Sequence, residues 1–320
     1  MKAVVYRENG GPDVLSYEDV ADLQPAAGEI LVRVEAISLE GGDLLRRRYV
    51  PPNPNPRIEG YAAAGEVIGL GEGVTSFQIG DKVTTFAERG SHAELRTPKA
   101  EHCWRVPDGL AMNAAAVALV GLGTAGAALF ELGQLVRGQT VLITGATGGV
   151  GVGAIQLAHT AGARVIATGS NLASLEGLRR YGLDEPLVID REPFAQRVRD
   201  LTDGRGVDVF LDTVGGNALQ SGLDSLVGEG CAVMVGAIST LKGTIAPYSL
   251  LAQGQSLFGC ILPLLMPRPS VRRMIDDILQ RLADGELTAV IDREYPLSEA
   301  QAAHTRAEER GRIGRVVMTP

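Results

Sequence analysis

Two kinds of hydrophobic patterning divide the chain. From residue 1 to residue 120, short apolar runs alternate with turn signals, which predicts strands joined by loops. The clearest runs are Ala3–Tyr6, Glu29–Ala36, Gly65–Gly69, Lys82–Phe86 and Ala93–Thr97. Gly71-Glu72-Gly73, Ile79-Gly80-Asp81 and Pro107-Asp108-Gly109 supply turns between them. Pro51-Pro52-Asn53-Pro54-Asn55-Pro56 makes a stiff loop that cannot be helix or central strand. Beyond residue 120 the texture changes. Thr140–Thr144, Arg164–Thr168, Leu187–Asp190, Val207–Asp212 and Cys231–Val235 read as strands. Helix-length segments alternate with them: Val150–Ala161, Leu172–Tyr181, Pro193–Thr202 and Leu219–Leu226. That alternation predicts parallel strand-helix-strand units with right-handed crossovers. The tail adds helices at Ser270–Ala283 and Ser298–Glu309, with strands at Val290–Asp292 and Arg315–Met318. Ala111–Leu132, the most apolar stretch, is rich in Ala and Gly and reads as a buried helix rather than a membrane span.

Composition sharpens this picture. A chain of 320 residues favours two domains over one core. With 41 glycines and only 4% aromatics, it suits α/β layers joined by tight turns. Thirty basic against 38 acidic residues leave a formal charge of −8, which argues against a broad nucleic-acid surface but not against one local phosphate pocket. Arg46-Arg47-Arg48 reads as a solvated helix end. Cys103, Cys231 and Cys260 are too scattered for a metal knuckle or a disulfide framework. With no signal-peptide pattern at Met1–Tyr6, the expected home is the cytoplasm.

Chemistry enters at Val141–Gly151, where a strand runs through a glycine-rich turn into a helix. Glycines let the backbone approach a pyrophosphate, and the free N–H groups and helix dipole meet its charge. Ala146, Thr147, Gly148, Gly149 and Val150 are the expected contacts. A structural turn that binds nothing is the alternative, and the continuation through Arg164–Thr168 argues against it. The second strand ends in Gly169-Ser170-Asn171, with no carboxylate for a ribose diol. The room left for a 2′-phosphate favours NADPH, with a site that also accepts NADH as the alternative.

Further motifs lie along the whole chain: Met1-Lys2-Ala3-Val4-Val5, Gly10–Leu15, Gly28–Val34, Val74–Val83, Gly148–Gly151, Asp203–Asp212 and Gly311–Val317. Together, in this order, they resemble the zinc-free quinone oxidoreductase (zeta-crystallin-like) branch of the medium-chain dehydrogenase/reductase superfamily. The resemblance implies an α/β chain with a GroES-like β-rich catalytic domain and a doubly wound, parallel-sheet Rossmann domain. Residues 1–122 and 258–320 would form the first and 123–257 the second, with substrate in the cleft between them. It also implies a homodimer paired through the edge strand near Leu257–Leu262.

Where zinc relatives have Cys-x-x-Asp and Gly-His-Glu, this chain has Glu40-Gly41-Gly42-Asp43 and Gly60-Tyr61-Ala62. A lone Glu40 cannot assemble a tetrahedral site, so the expectation is an enzyme without zinc. The zinc-free branch usually has Asn at the Glu40 position. Its carboxylate is read either as a partner of the nicotinamide ribose, or local acid or base, or as a solvated loop residue. The resemblance further assigns Thr124, Val214, Gly215, Gly236, Ala237, Phe258 and Gly259 to the cofactor, with a core threonine and ordinary strand ends as alternatives. The family's 2′-phosphate lysine has no counterpart, since Ala173-Ser174 stand there. Arg191 and Arg310 are the substitutes put forward, while Arg179 and Arg180 read as helix surface. Tyr49 and Tyr61 are candidate proton or hydrogen-bond donors, or cleft wall. His92 and His102 read as structural, and His159 and His304 as helix surface.

The expected reaction is hydride transfer from NADPH to a quinone or conjugated carbonyl, an acceptor that spreads charge without a Lewis acid. Two alternatives stand beside it: an enone or enoyl double-bond reductase, and an NADPH-binding sensor without turnover. No nucleic-acid or membrane partner is expected.

Overall fold

The computed structural model describes residues 1–189, 193–236 and 244–320. It forms two compact units, Met1–Val120 with Ile275–Pro320, and Gly121–Met274. In chain order the first stretch contains β1 (Lys2–Tyr6), β2 (Ser16–Asp19), β3 (Ile30–Ser38), β4 (Arg57–Ile58), β5 (Ala62–Leu70), β6 (Lys82–Phe86), β7 (Leu95–Arg96) and β8 (Cys103–Arg105). The second unit holds β9 (Thr140–Ile143), β10 (Arg164–Gly169), β11 (Glu185–Val188), β12 (Val207–Asp212), β13 (Leu226–Met234) and β14 (Ser256–Gly259). Strands β15 (Ile291–Pro296) and β16 (Arg315–Thr319) return to the first.

The first unit is built on a sheet ordered β15-β16-β3-β5-β6-β8, with β7 against β3, and a smaller sheet β2-β1-β4. Strand β3 shows why the sequence folds this way: Ile30, Val32 and Val34 are buried while Arg33 and Glu35 face solvent, a period of two. The helix Ala300–Glu308 adds Ala303 and Ala307 to a core with Val4, Tyr6, Ile37 and Met318. The expected strand at Ala93–Thr97 shrinks to Leu95–Arg96, because Ala93 bridges to Ala3 and Pro98 already closes the run.

Two expectations are corrected here. The helix Gly41–Tyr49 turns Asp43 and Arg47 inward, four residues apart on one face. Arg47 is fully buried, ion-paired with Glu308, and its Nη1 lies 2.7 Å from His304 Nδ1. Only Arg48 keeps the solvated character expected of the whole triplet. His304 is likewise buried rather than on the surface, with its Nε2 3.0 Å from His92 Nε2. Arginine only donates, so His304 Nδ1 accepts, its Nε2–H donates to His92, and His92 Nδ1–H is left to face Ser91 Oγ at 3.2 Å. Burial and the nearby arginines hold both rings neutral, pushing His92 down to about 3 and His304 well below the usual imidazole range.

The second unit's sheet is parallel throughout, ordered β11-β10-β9-β12-β13-β14. Counted from its own first strand, that order is 3-2-1-4-5-6, the doubly wound arrangement. Every residue of β9 and β12 is buried, as strands covered on both faces require. The predicted helix Leu219–Leu226 is Asn217–Asp224, and Leu226 instead opens β13. The apolar run Met112–Leu132 is helical, and by length and composition could cross a membrane, yet 78% of its most apolar window is buried inside the protein.

Candidate functional site

In a doubly wound sheet, ligands bind beyond the carboxyl ends of the strands where the strand order reverses. Here that point lies between β9 and β12. Register brings Ile143, Ala167 and Leu211 level across β9, β10 and β12, and Asp212, Met234 and Gly259 level across β12, β13 and β14. The segments that follow therefore emerge along one edge. Ala146–Val150, Gly169-Ser170, Val214-Gly215, Gly236 and Gly259 all lie on them.

The turn after β9 is shaped by close approach. Gly145 has φ +64°, and a Cβ there would fall 2.1 Å from Thr213 Oγ1. Only glycine meets both demands. Ala146 is buried and its N–H donates to Thr168 O at 3.1 Å, tying the turn to the end of β10. Gly148 caps the helix Gly149–Thr160, whose ladder begins with Val152 N–H to Gly148 O at 2.9 Å. The N–H groups ahead of Val152 have no intrahelical partner, an arrangement suited to an anion.

Asp212 braces the neighbouring turn. Its buried carboxylate accepts from Thr144 Oγ1 at 2.6 Å and from the N–H groups of Val214 (2.9 Å) and Gly215 (3.0 Å). Thr213 closes the loop by donating its hydroxyl to Thr144 O at 2.9 Å. This brace was not among the sequence candidates. An acid at the end of an apolar parallel strand, where no solvent meets it, was the available signal.

The other cofactor candidates are distributed as follows. Thr124 is buried in the short helix Gly123–Gly126, in the stretch that packs on Gly149–Thr160. Ser170 is exposed just past β10, and Asn171 spends its side chain capping Ser174 N. Phe258 is 43% exposed on β14, opposite Val233. Arg310 is exposed on a turn of the first unit. Arg191 and Ala237 lie outside the described residues.

Glu40, Tyr49 and Tyr61 belong to the first unit. Glu40 precedes the helix Gly41–Tyr49 and is 2% exposed, which removes the solvated-loop reading. Ser38 Oγ donates to its Oε1 at 2.7 Å, and Arg315 Nη2 is 2.5 Å from Oε2. Burial raises its pKa against the pull of Arg315. Asp43 accepts from Glu40 N–H at 2.7 Å, and burial, helped by Glu59, holds it well above the usual carboxylate range. Tyr49 ends the helix at 61% exposure. Tyr61 is half-buried, and its hydroxyl accepts from Arg46 Nε at 2.8 Å. Arg315 was not singled out from the sequence, and Arg46 entered only as part of a solvated helix end. Among the described residues, no three His, Cys, Asp or Glu side chains form a group able to hold a metal ion.

Comparison with known proteins bears on this arrangement. Residues 26–136 match the alcohol dehydrogenase GroES-like domain, and residues 149–280 match the family described as zinc-binding dehydrogenase. A quinone oxidoreductase of Pseudomonas aeruginosa is 33% identical across 100% of this chain and 99% of its own. A 2-haloacrylate reductase of Burkholderia is 32% identical over 100% of this chain and 99% of its own. The structure of a mycobacterial protein complexed with NADPH superposes with a TM-score of 0.94 at 32% identity, covering 100% of both chains.

Proposed function

The chain belongs to the quinone oxidoreductase type of the medium-chain dehydrogenase/reductase family, and from that premise we propose that this oxidoreductase uses NADPH to reduce a quinone or similar electron-poor carbonyl, without zinc. The observation that carries the proposal is the turn at Gly145–Gly151, whose glycines leave the backbone bare at a helix mouth. Its shape suits a diphosphate, and the NADPH-bound relative supports the choice of dinucleotide.

When bound, NADPH would supply the hydride. Ala146–Val150 would hold its diphosphate, and Asp212 would keep Val214 and Gly215 in place beside it. Thr124, Gly236, Phe258 and Gly259 are proposed to line the same ligand. Ser170 leaves the space a 2′-phosphate needs, with Arg310 and Arg191 as its proposed partners. Glu40, whose oxygens are taken up by Ser38 and Arg315, would set the start of the helix Gly41–Tyr49. The donor set argues against zinc. Glu40 is already engaged, and Tyr61 and Ala62 offer no ligand where the zinc relatives carry His and Glu.

The 2-haloacrylate reductase relative favours a second reading, reduction of a conjugated carbon–carbon double bond. Steady-state rates with a quinone panel and an enone panel, both with NADPH, separate the two. Faster turnover of quinones is expected, and the reverse order would select the second reading. Titration with NADPH and NADH tests the base of both: saturable binding, tighter for NADPH, is expected, and weaker NADPH preference in Arg310→Ala would support that residue's assignment.

A further inference from the structure

We propose that Arg46 is a positioning residue that aims the Tyr61 hydroxyl, as a hydrogen-bond donor, at the acceptor oxygen on which negative charge develops. This rests on the function proposed above and assigns the protein's part in holding the acceptor. A guanidinium donates and never accepts, so in the 2.8 Å contact from Arg46 Nε the oxygen of Tyr61 must be the acceptor. The hydroxyl's single hydrogen is thereby turned away from Arg46. Among the described residues, none accepts it.

The ring that carries this hydroxyl is held from several sides. It stacks on Phe86 with centroids 5.8 Å apart, and the Arg46 guanidinium lies 5.2 Å from its centre. The ring lies against the first turn of the helix Gly41–Tyr49, where a Cβ on Gly42 would come within 2.2 Å of Cε2. Both terminal nitrogens of the buried Arg96 donate to the Tyr61 carbonyl at 3.2 Å, fixing the backbone. A donor held this firmly needs little reorganisation when charge appears in front of it, which is the condition for electrostatic stabilisation of an oxyanion.

The charges around Tyr61 agree with that role. Arg46, Asp43 and Glu59 face it. Asp43 is buried with its Oδ1 unpartnered, and burial pushes it well above the usual carboxylate range, while Glu59 is taken up by Arg57 at 2.9 Å. Arg46 brings its positive charge directly onto the hydroxyl oxygen. Burial pushes Tyr61 up to about 12, so it remains a protonated donor at neutral pH. In the reaction the acceptor carbon or ring takes two electrons as hydride and its oxygen becomes anionic. Tyr61 keeps its proton, and solvent supplies the one that completes the new O–H.

Tyr61→Phe keeps the ring and removes only the hydroxyl. It should lower kcat for the quinone about 100-fold, with the NADPH Kd unchanged. Arg46→Met should give most of that loss and Arg46→Lys should recover part of it. Arg46→Met placed on Tyr61→Phe should cost nothing more, the mark of two groups acting as one. Turnover of Tyr61→Phe within about twofold of wild type would overturn the proposal. So would losses that multiply in the double variant, because Arg46 would then act independently of Tyr61. Failure of the wild type to bind NADPH would instead remove the function proposed for the whole protein, an outcome the titration reads separately.

Discussion

At the scale of single residues, the sharpest demands are steric. A Cβ on Gly151 would fall 2.4 Å from Gly145 O and 2.8 Å from the Ala146 backbone. Gly151→Ala is therefore expected to force the helix mouth away from the turn and raise the NADPH Kd about tenfold, or ~1.4 kcal/mol, in a fluorescence titration. Asp212→Ala would strip the acceptor from the Thr144 hydroxyl and two N–H groups, and should cost about 2–3 kcal/mol in urea unfolding. An unchanged midpoint would show that water replaces the carboxylate without loss. The glycine-rich turn after β9 was legible because its signal is local: the glycines that bare the backbone are neighbours in sequence. The Asp212 brace was not, since its partner Thr144 follows a different strand, β9, 68 residues away. Arg47 and Glu40 show the same limit. Each is charged and adjacent to polar or small residues, so solvation was a natural reading. Their burial depends on Glu308 and Arg315, far along the chain.

Elements were more legible than the contacts that join them. β6 and β12 match their predicted bounds because each is a short run rich in β-branched, aromatic or aliphatic residues that starts directly after a turn signal, Gly80-Asp81 and Gly204-Arg205-Gly206. Leu226 was assigned to the wrong element because an apolar residue at a helix-strand junction suits either pattern. Nothing in the helix Ala300–Glu308 announces that His304 faces inward to His92 and Arg47, three segments meeting in one hydrogen-bonded line. That line makes a pH prediction. Below the unfolded pKa of about 6.5 the unfolded rings take protons and the folded ones do not. Its stabilisation is therefore whole above 6.5 and is lost as pH falls toward the folded value of about 3 for His92. By pH 5 the loss from His92 alone amounts to about 2 kcal/mol. Urea midpoints should fall from pH 7 to pH 5 in the wild type, and less in His304→Gln, which keeps an acceptor for Arg47 and a donor for His92. Equal slopes would contradict the neutral-pair assignment.

At the scale of the whole molecule, β14 has β13 on one side and no strand of the described residues on the other. Leu251 at 77% exposure, Leu264 at 75% and Ile261 at 62% lie on segments that flank this edge in sequence. Such an edge needs covering. We predict a dimer by light scattering, and a monomer when Ile261 and Leu264 are both replaced by Asp; a monomeric wild type would refute this. The two-part texture of the chain was legible throughout, because the change from turn-punctuated strands to alternating strands and helices is a property of long windows. The pairing of β16 with β3, Val317 beside Ser38 and Met318 beside Ile37, has an effect on biosynthesis. Residues 121–274 form a contiguous unit that can close while translation continues. The stretch before them leaves the ribosome without β15, β16 and the helix Ala300–Glu308. Val4, Tyr6 and Ile37 lack that side of their core until codons for residues 297–318 have been read.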